Sequence, residues 1–428
     1  MIVVRGIVVV IMLGVILSLT CLSAYSADVA GLPDVEARLK SDFHQGLYKR
    51  TYESLLSRVE DDGYMRESVK NGYPGMFPRT VGGMVSLLVE TGEMEKARKL
   101  VNVVLKATKA NNMTRCPHVM GRPAVPANSE MSSDYPIISR FDEIDGNFHV
   151  LMSWAMVALN SDVKQWEDET YNQVVHLTDT AIDWPYRLPE PAGVTGHSIF
   201  IGLIRNPCLE HSREGRYWDT YDILTQSFAC RALSLLADVA ARRGDTTHAQ
   251  NWKSACADIE RAINDNLTTN MEGKRIYAEM RLPDGGEGKI FEGLSWVNLG
   301  PVAAQWQGAD SKLLRNTVDK LREKSVLDWN GHHLLATEWT PNGGCNQVIG
   351  KGLAWDMVYS LGECEYSRIC AWLDFIQAAN TDPLYAECFW TDADNKMHLN
   401  DPGNGEQSSW WCWSMAKLRK AAGLPAAP

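Results

Sequence analysis

The stretch "GNGEQSSWW" brings Glu406 and Gln407 out of a Gly- and Asn-rich loop directly ahead of Trp410 and Trp411. Upstream, "YWDTYDILTQ" sets Asp219 and Asp222 beside Trp218. Further acids stand at similar junctions: Asp142, Glu143 and Asp145 in "FDEIDGN", Glu292 in "KIFEGLSW" ahead of Trp296, and Glu338 beside Trp339 in "ATEWTPNGG". Two carboxyl groups facing across a gap can hydrolyse a glycosidic bond. One protonates the leaving oxygen, and the other activates water or attacks carbon. Flat Trp faces suit the C–H faces of sugars. Each acid alone also has a plainer role, because Asp near a helix start is a common cap. "DTYD" resembles a capping box with Asp in place of Glu. The recurrence of acids beside an aromatic or a Gly favours one shared site.

The elements that must position these residues read as helices. Strand-type alternation is almost absent, and helical periodicity recurs along the chain. Twelve helices are expected, over 34–60, 80–91, 93–109, 145–159, 162–183, 220–243, 245–267, 294–306, 311–325, 349–361, 363–380 and 406–422. Short connections such as Gly92 and Gly362 follow the even-numbered ones, and long loops follow the odd-numbered ones. "FHVLMSWAMVALN" and "LSWVNLGPVAAQW" carry no Asp, Glu, Lys or Arg, whereas "SKLLRNTVDKLREK" is amphipathic and charged. A helix apolar all round must be buried, and an amphipathic one lies at the surface. The pattern predicts an all-α (α/α)6 toroid of six inner and six outer helices. All the long loops and the inner-helix N-termini gather at one end. An open helical solenoid is the rival arrangement.

The 428 residues suit a globular chain, with 45% hydrophobic and 22% charged residues. Residues 1–26 read as a signal peptide: Arg5, an apolar run, then Ala24 and Ser26 at a small-x-small cleavage site. An uncleaved membrane anchor or a lipoprotein at Cys21 is the alternative. Residues 27–428 are then a single catalytic domain, secreted or periplasmic, with no membrane span in the mature chain. The net charge of −11 disfavours nucleic acid and other polyanions. Carbohydrate is the expected partner. The ten Cys show no zinc-ligand spacing, so no cofactor and no metal are expected. Acidic loops such as "TDADNKMHLNDPGNGE" carry oxygen ligands for Ca²⁺, though in no ligand pattern.

At this level the chain resembles the six-hairpin glycoside hydrolases: glucoamylases, trehalases, processing α-glucosidases and related α-mannosidases. Three short pieces carry the resemblance. "YPGMFPRTVGG" is similar to their aromatic-x-Arg-Asp segment, with Arg79 matching and Thr80 in place of Asp. "YWDTYD" looks like the segment supplying the general acid, which implies Asp219, with Asp222 its rival. "GNGEQSSWWCW" looks like the segment holding the base, which implies Glu406. The resemblance implies an α-linked sugar; an inverting carboxyl pair is expected, and a toroid with one funnel, which holds a chain end more naturally than its middle, predicts exo action. Asp145, Arg79, Trp218, Glu292, Trp296, Trp339, Gln407 and Trp410 are then expected around the substrate. The same toroid also hosts polysaccharide lyases and sugar epimerases, for which His118, His197, His211, His332 and His333 are loop candidates. A non-catalytic glycan-binding toroid is a third reading.

Overall fold

The structure is a computed structural model. It describes residues 31–70, 72–122, 137–139, 144–187, 202–211, 216–282, 291–338 and 346–428. The expected signal peptide, Asp142, Glu143, His197, Trp339 and Cys345 lie outside the described residues, as do the side chains of His211 and Trp218.

Six inner helical layers alternate with outer ones. The inner helices are α3 (Pro78–Thr91), α5 (Asp145–Asn160), α7 (Ile223–Arg243), the pair α9 (Ser295–Asn298) and α10 (Gly300–Ala303), α12 (Gly350–Gly362) and α14 (Gly405–Ala421). The outer helices are α1 (Leu32–Leu39) and α2 (Asp42–Arg58), then α4 (Met94–Ala110), α6 (Lys164–Arg187), α8 (Thr246–Asn266), α11 (Ser311–Lys324) and α13 (Tyr366–Ala379). Each inner helix packs on the next, and α14 packs back on α3, so the ring closes. The expected (α/α)6 toroid is the observed architecture.

Local sequence explains the two layers. α5 is buried on nearly every side, from Asp145 through Ala158. α11 buries only Leu313, Thr317, Val318, Lys320 and Leu321, one stripe at helical spacing. Pro78 opens α3 at a position where its missing N–H costs nothing, and Gly92 closes it in the left-handed region at φ 85°. Asp356 ties α12 to both outer neighbours. It accepts from Arg322 Nη2 at 2.7 Å, Arg368 Nε at 2.9 Å and Trp372 Nε1 at 2.8 Å. α7 is the one described helix long and apolar enough to cross a membrane, and it lies in the core of the ring.

Four expectations need correction. The predicted helix over 34–60 is two helices, because Ser41 turns the chain and caps His44 N. The helix over 294–306 breaks at Leu299, where Gly300 lies against Leu224; a Cβ at Gly300 would come within 2.7 Å of the Leu224 Cα. Residues 220–222 belong to a strand, not to α7. Strands are also more numerous than the alternation implies: twelve short ones occur among the described residues, all in antiparallel pairs within the long connections. They include β3 (Asn206–His211) and β4 (Arg216–Asp222), β7 (Met280–Arg281), and β10 (Gln347–Ile349) and β11 (Cys388–Thr391). With two to seven residues each, these strands are too short to show a period.

Candidate active site

Because inner and outer helices run antiparallel, all the inner helices point the same way. Their N-termini, with free N–H groups and partial positive charge, share one end of the ring. Four of the described inner-helix starts contribute side chains to one contiguous charged cluster.

Glu406, in the first turn of α14, is the centre of that cluster. Lys351 Nζ, from the first turn of α12, donates to Glu406 Oε1 at 2.9 Å. Arg79 Nε, from the first turn of α3, lies 3.3 Å from the same oxygen. Arg79 Nη1 reaches on to Asp145 Oδ2, at the start of α5, at 3.6 Å. Burial works against a charge on Glu406, but Lys351 and Arg79 more than offset it. They hold the carboxyl down at about 2, so it is ionised throughout the neutral range. Gln407 Oε1 accepts from Lys351 N at 2.7 Å and so ties α14 to α12. His149 sits one turn into α5, under Arg79 and Lys351. Its ring lies 3.7 Å from that of Phe228, and burial followed by its cationic neighbours holds it down at about 3, so it is neutral.

Three further carboxyl groups, near the starts of α3, α12 and α9, have the opposite character. Glu67, from the loop ahead of α3, accepts from Glu406 N at 2.7 Å and from Thr80 Oγ1 at 2.6 Å. Burial, helped by the charge on Glu406, pushes Glu67 up to about 7. Glu387, just ahead of β11, accepts from Tyr73 Oη at 2.9 Å and Asn400 Nδ2 at 2.7 Å. It is half-buried and is pushed up to about 7, by burial first and then by Asp401, Glu67 and Glu406. Its backbone oxygen accepts from Gly350 N, the residue before Lys351, at 2.8 Å. Glu279 is fully buried beside the start of α9 and is pushed up to about 8. Its Oε2 accepts from Leu294 N at 2.9 Å and Asn298 Nδ2 at 2.5 Å. One carboxylate held ionised among several held near neutral is the pattern by which a single site carries both a base and an acid.

The other expected site residues divide. Arg79, Asp145 and Gln407 join Glu406, although Asp145 is fully buried beneath Arg79 rather than open to a ligand. Asp219 lies on β4, not at a helix start, and Arg205 holds both of its oxygens, with Nε at 2.7 Å from Oδ1. Asp222 is fully buried and is itself the N-cap of α7; its Oδ1 accepts from Thr225 N at 2.7 Å. The capping box read from "DTYD" is therefore displaced by three residues. Burial pushes Asp222 up to about 6, against those hydrogen bonds. Trp410 is a correction. It is completely buried in the middle of the ring, 5.2 Å from the Trp355 ring and 5.3 Å from Trp413, so it forms the floor and offers no face to a sugar. Trp296 is also buried, with Lys351 Nζ 4.6 Å above its ring. Glu292 is half-buried just ahead of α9, where Glu279 accepts from the N–H of Leu294, the residue before the helix. Trp218 pairs with Leu209 through its backbone.

Lys351, Glu67, His149, Glu279 and Glu387 were not anticipated. Lys351 had a signal: the lone cation of the mostly apolar "GKGLAWDMVYSLG" stands in its first turn, where it opposes the helix dipole and needs an anion nearby. Glu67 and Glu387 lie within long loops and had none. Among the described residues one group could hold a metal ion: Cys230, Cys256 and Glu260, whose ligand atoms lie within 4.8 Å of one another. It lies between α7 and α8, and Glu260 Oε1 already accepts from Trp306 Nε1 at 2.8 Å.

No protein-family model matches the chain, and no curated protein matches it. Solved structures do. A metal-independent α-mannosidase of Streptococcus pneumoniae, in a non-productive complex with α-1,6-mannobiose, aligns over 91% of this chain and 97% of its own, with a TM-score of 0.66 at 13% identity. A bacterial glucoamylase complexed with acarbose aligns over 89% of this chain and 56% of its own, with a TM-score of 0.61 at 13% identity. A GH63 mannosylglycerate hydrolase from Thermus thermophilus, in complex with glucose, aligns over 87% of this chain and 99% of its own, with a TM-score of 0.59 at 11% identity. At such identities the likeness shows the fold, and the chain is a six-hairpin toroid of the type these glycoside hydrolases share.

Proposed function

We propose that the protein is an exported glycoside hydrolase, inverting and exo-acting on an α-linked sugar, with Glu406 as the general base. One observation carries this reading: a carboxylate held ionised by Lys351 and Arg79 at the shared N-terminal end of the inner helices. Both cations contact Oε1, so Oε2 is the oxygen to accept a proton from an attacking water. Asp219 is the proposed acid, and inversion requires roughly 6.5–9.5 Å between the two carboxyl groups. Glu387 is the second candidate for the acid, because its half-buried carboxyl is held near neutral pH whereas Arg205 occupies both oxygens of Asp219. The structural likeness to an α-mannosidase makes α-mannosides the first substrates to assay.

The test compares Glu406→Gln, Asp219→Asn and Glu387→Gln on aryl α-glycosides and α-linked disaccharides, with the product anomer followed by NMR. Loss of turnover in Glu406→Gln and in one of the other two supports the reading and names the acid. Full activity in Glu406→Gln sinks it. An unsaturated product absorbing in the ultraviolet would assign the lyase chemistry instead. Glycan binding without turnover would assign the non-catalytic reading. Export predicts a mature N-terminus at Ala27, read by N-terminal sequencing of secreted or periplasmic protein.

A further inference from the structure

Glu67 lies 339 residues from Glu406 in the chain, yet it satisfies most of the start of α14. A helix leaves its first N–H groups without partners inside the helix. Here Glu67 O accepts from Gly405 N at 2.8 Å, and Glu67 Oε1 accepts from Glu406 N at 2.7 Å. Asn404 Oδ1 accepts from Gln407 N at 3.1 Å, so the first turn is fully satisfied. The other carboxyl oxygen of Glu67 takes the hydroxyl of Thr80 at 2.6 Å, one residue beyond Arg79. Arg58 anchors the loop from α2, with Nη1 2.7 Å from Glu67 O. The fit is close: a Cβ at Gly405 would come within 3.0 Å of Glu67 Oε2 and 3.2 Å of Thr80 Cγ2.

We propose that Glu67 is a positioning residue for the base: a single buried carboxyl clamps the backbone of Glu406 to α3 and sets the approach of Glu406 to Arg79. The proposal rests on the reading of Glu406 as base. Without the clamp, only the Arg79–Glu406 ion pair is left of these links between the starts of α3 and α14, and Glu406 drifts relative to its cations. Ångström-scale misplacement of a reacting group costs on the order of 100-fold in rate.

The experiment compares the parent with Glu67→Ala, Glu67→Gln, Thr80→Val, the double variant Glu67→Ala/Thr80→Val and Glu406→Gln on 4-nitrophenyl α-D-mannopyranoside and α-1,6-mannobiose. Glu67→Ala removes both acceptor oxygens and is expected to lower kcat by about 100-fold with KM within about twofold, because substrate contacts are left in place. Glu67→Gln, whose amide oxygen still accepts from Glu406 N, is expected to keep most of kcat. Thr80→Val falls less than Glu67→Ala, and the double variant is no worse than Glu67→Ala alone, since both cut one link. An inactive Glu406→Gln beside a fully active Glu67→Ala overturns the positioning role and spares the base. An active Glu406→Gln overturns the base itself. If Glu67→Ala does not fold, Thr80→Val with unchanged kcat overturns the proposal. If the parent turns over neither probe, crystal structures of the parent and Glu67→Ala decide. Displacement of the Glu406 carboxylate from Lys351 and Arg79 supports the clamp, and an unmoved carboxylate overturns it.

Discussion

Replacing Lys351 by Met separates the electrostatic role of this residue from its packing, because Met keeps the length that covers Trp296. The Glu406 carboxyl falls from 4.5 to about 2 although burial alone would raise it. That net shift corresponds to about 3 kcal/mol of preference for the ionised form. Lys351, at 2.9 Å, is the nearer cation, and Arg79 at 3.3 Å remains in the variant. Removing one partner of a buried pair typically costs about 3–5 kcal/mol, and the surviving Arg79 places the expected loss near the lower end, about 3 kcal/mol at pH 7. The sign with pH follows from linkage. A depressed carboxyl contributes stability above its unfolded value of 4.5, and this is lost as pH falls through about 2. With Lys351 gone the folded value rises towards 4.5, so the variant loses less stability on acidification than the parent does. Urea denaturation of Lys351→Met, Glu406→Gln and the double variant, from about pH 7 to about pH 3, measures this. The coupling between the two sites should be on the order of 2 kcal/mol. A single-variant loss under about 0.5 kcal/mol, or strict additivity, would refute the pairing as the cause of the depressed Glu406.

Three further outcomes are expected. Glu279, pushed up to about 8 by burial, penalises the fold progressively as pH rises from 4.5 to 8, since the folded state binds the proton more tightly. Glu279→Gln should flatten the fall in thermal midpoint across that window, and an unchanged slope would remove Glu279 as its cause. Asp222→Asn should keep both activity and stability, because Asn caps as well as Asp, while Asp222→Ala should lose about 1 kcal/mol by chemical denaturation; loss of turnover in Asp222→Asn would make Asp222 the acid. Gly82→Ala puts a Cβ 2.0 Å from His149 Nδ1, and the resulting overpacking should cost about 1–3 kcal/mol and displace the ring next to Glu406. A thermal midpoint equal to the parent's would show that His149 yields freely.

The toroid was legible because its signal is redundant. Apolar and amphipathic helices alternate, and short and long connections alternate with them, so each pattern checks the other. Glu406 and Arg79 were legible for a related reason: each stands at the start of an inner helix, where position alone implies the shared end. The misreadings have local causes. Leu299 and Gly300 break an apolar run whose periodicity continues across the break, so 294–306 looked like one helix. Trp410 and Trp296 looked like sugar platforms because both follow loops, but an inner helix turns its early aromatics into the ring's centre. Asp222 and Asp219 differ by three residues, and only the extended backbone of β4 decides which one caps α7. Glu67 and Glu387 carry no periodic signal, since loop residues are placed by tertiary hydrogen bonds that a one-dimensional pattern does not record.

The closure of the ring has a temporal consequence. Glu67, Thr80 and Arg79 come from the first hairpin, and Glu406 and Gln407 from the last, so the cluster straddles the seam where α14 meets α3. During synthesis the first hairpin must wait, with its buried cation Arg79 unmatched by Glu406, until more than three hundred further residues have emerged. Loop closure over such a separation is slow relative to local hairpin formation. The charged cluster therefore forms among the last contacts of the chain, and a ring that has failed to close cannot bring Arg79 onto Glu406. Competence of the site and integrity of the circle become one and the same event.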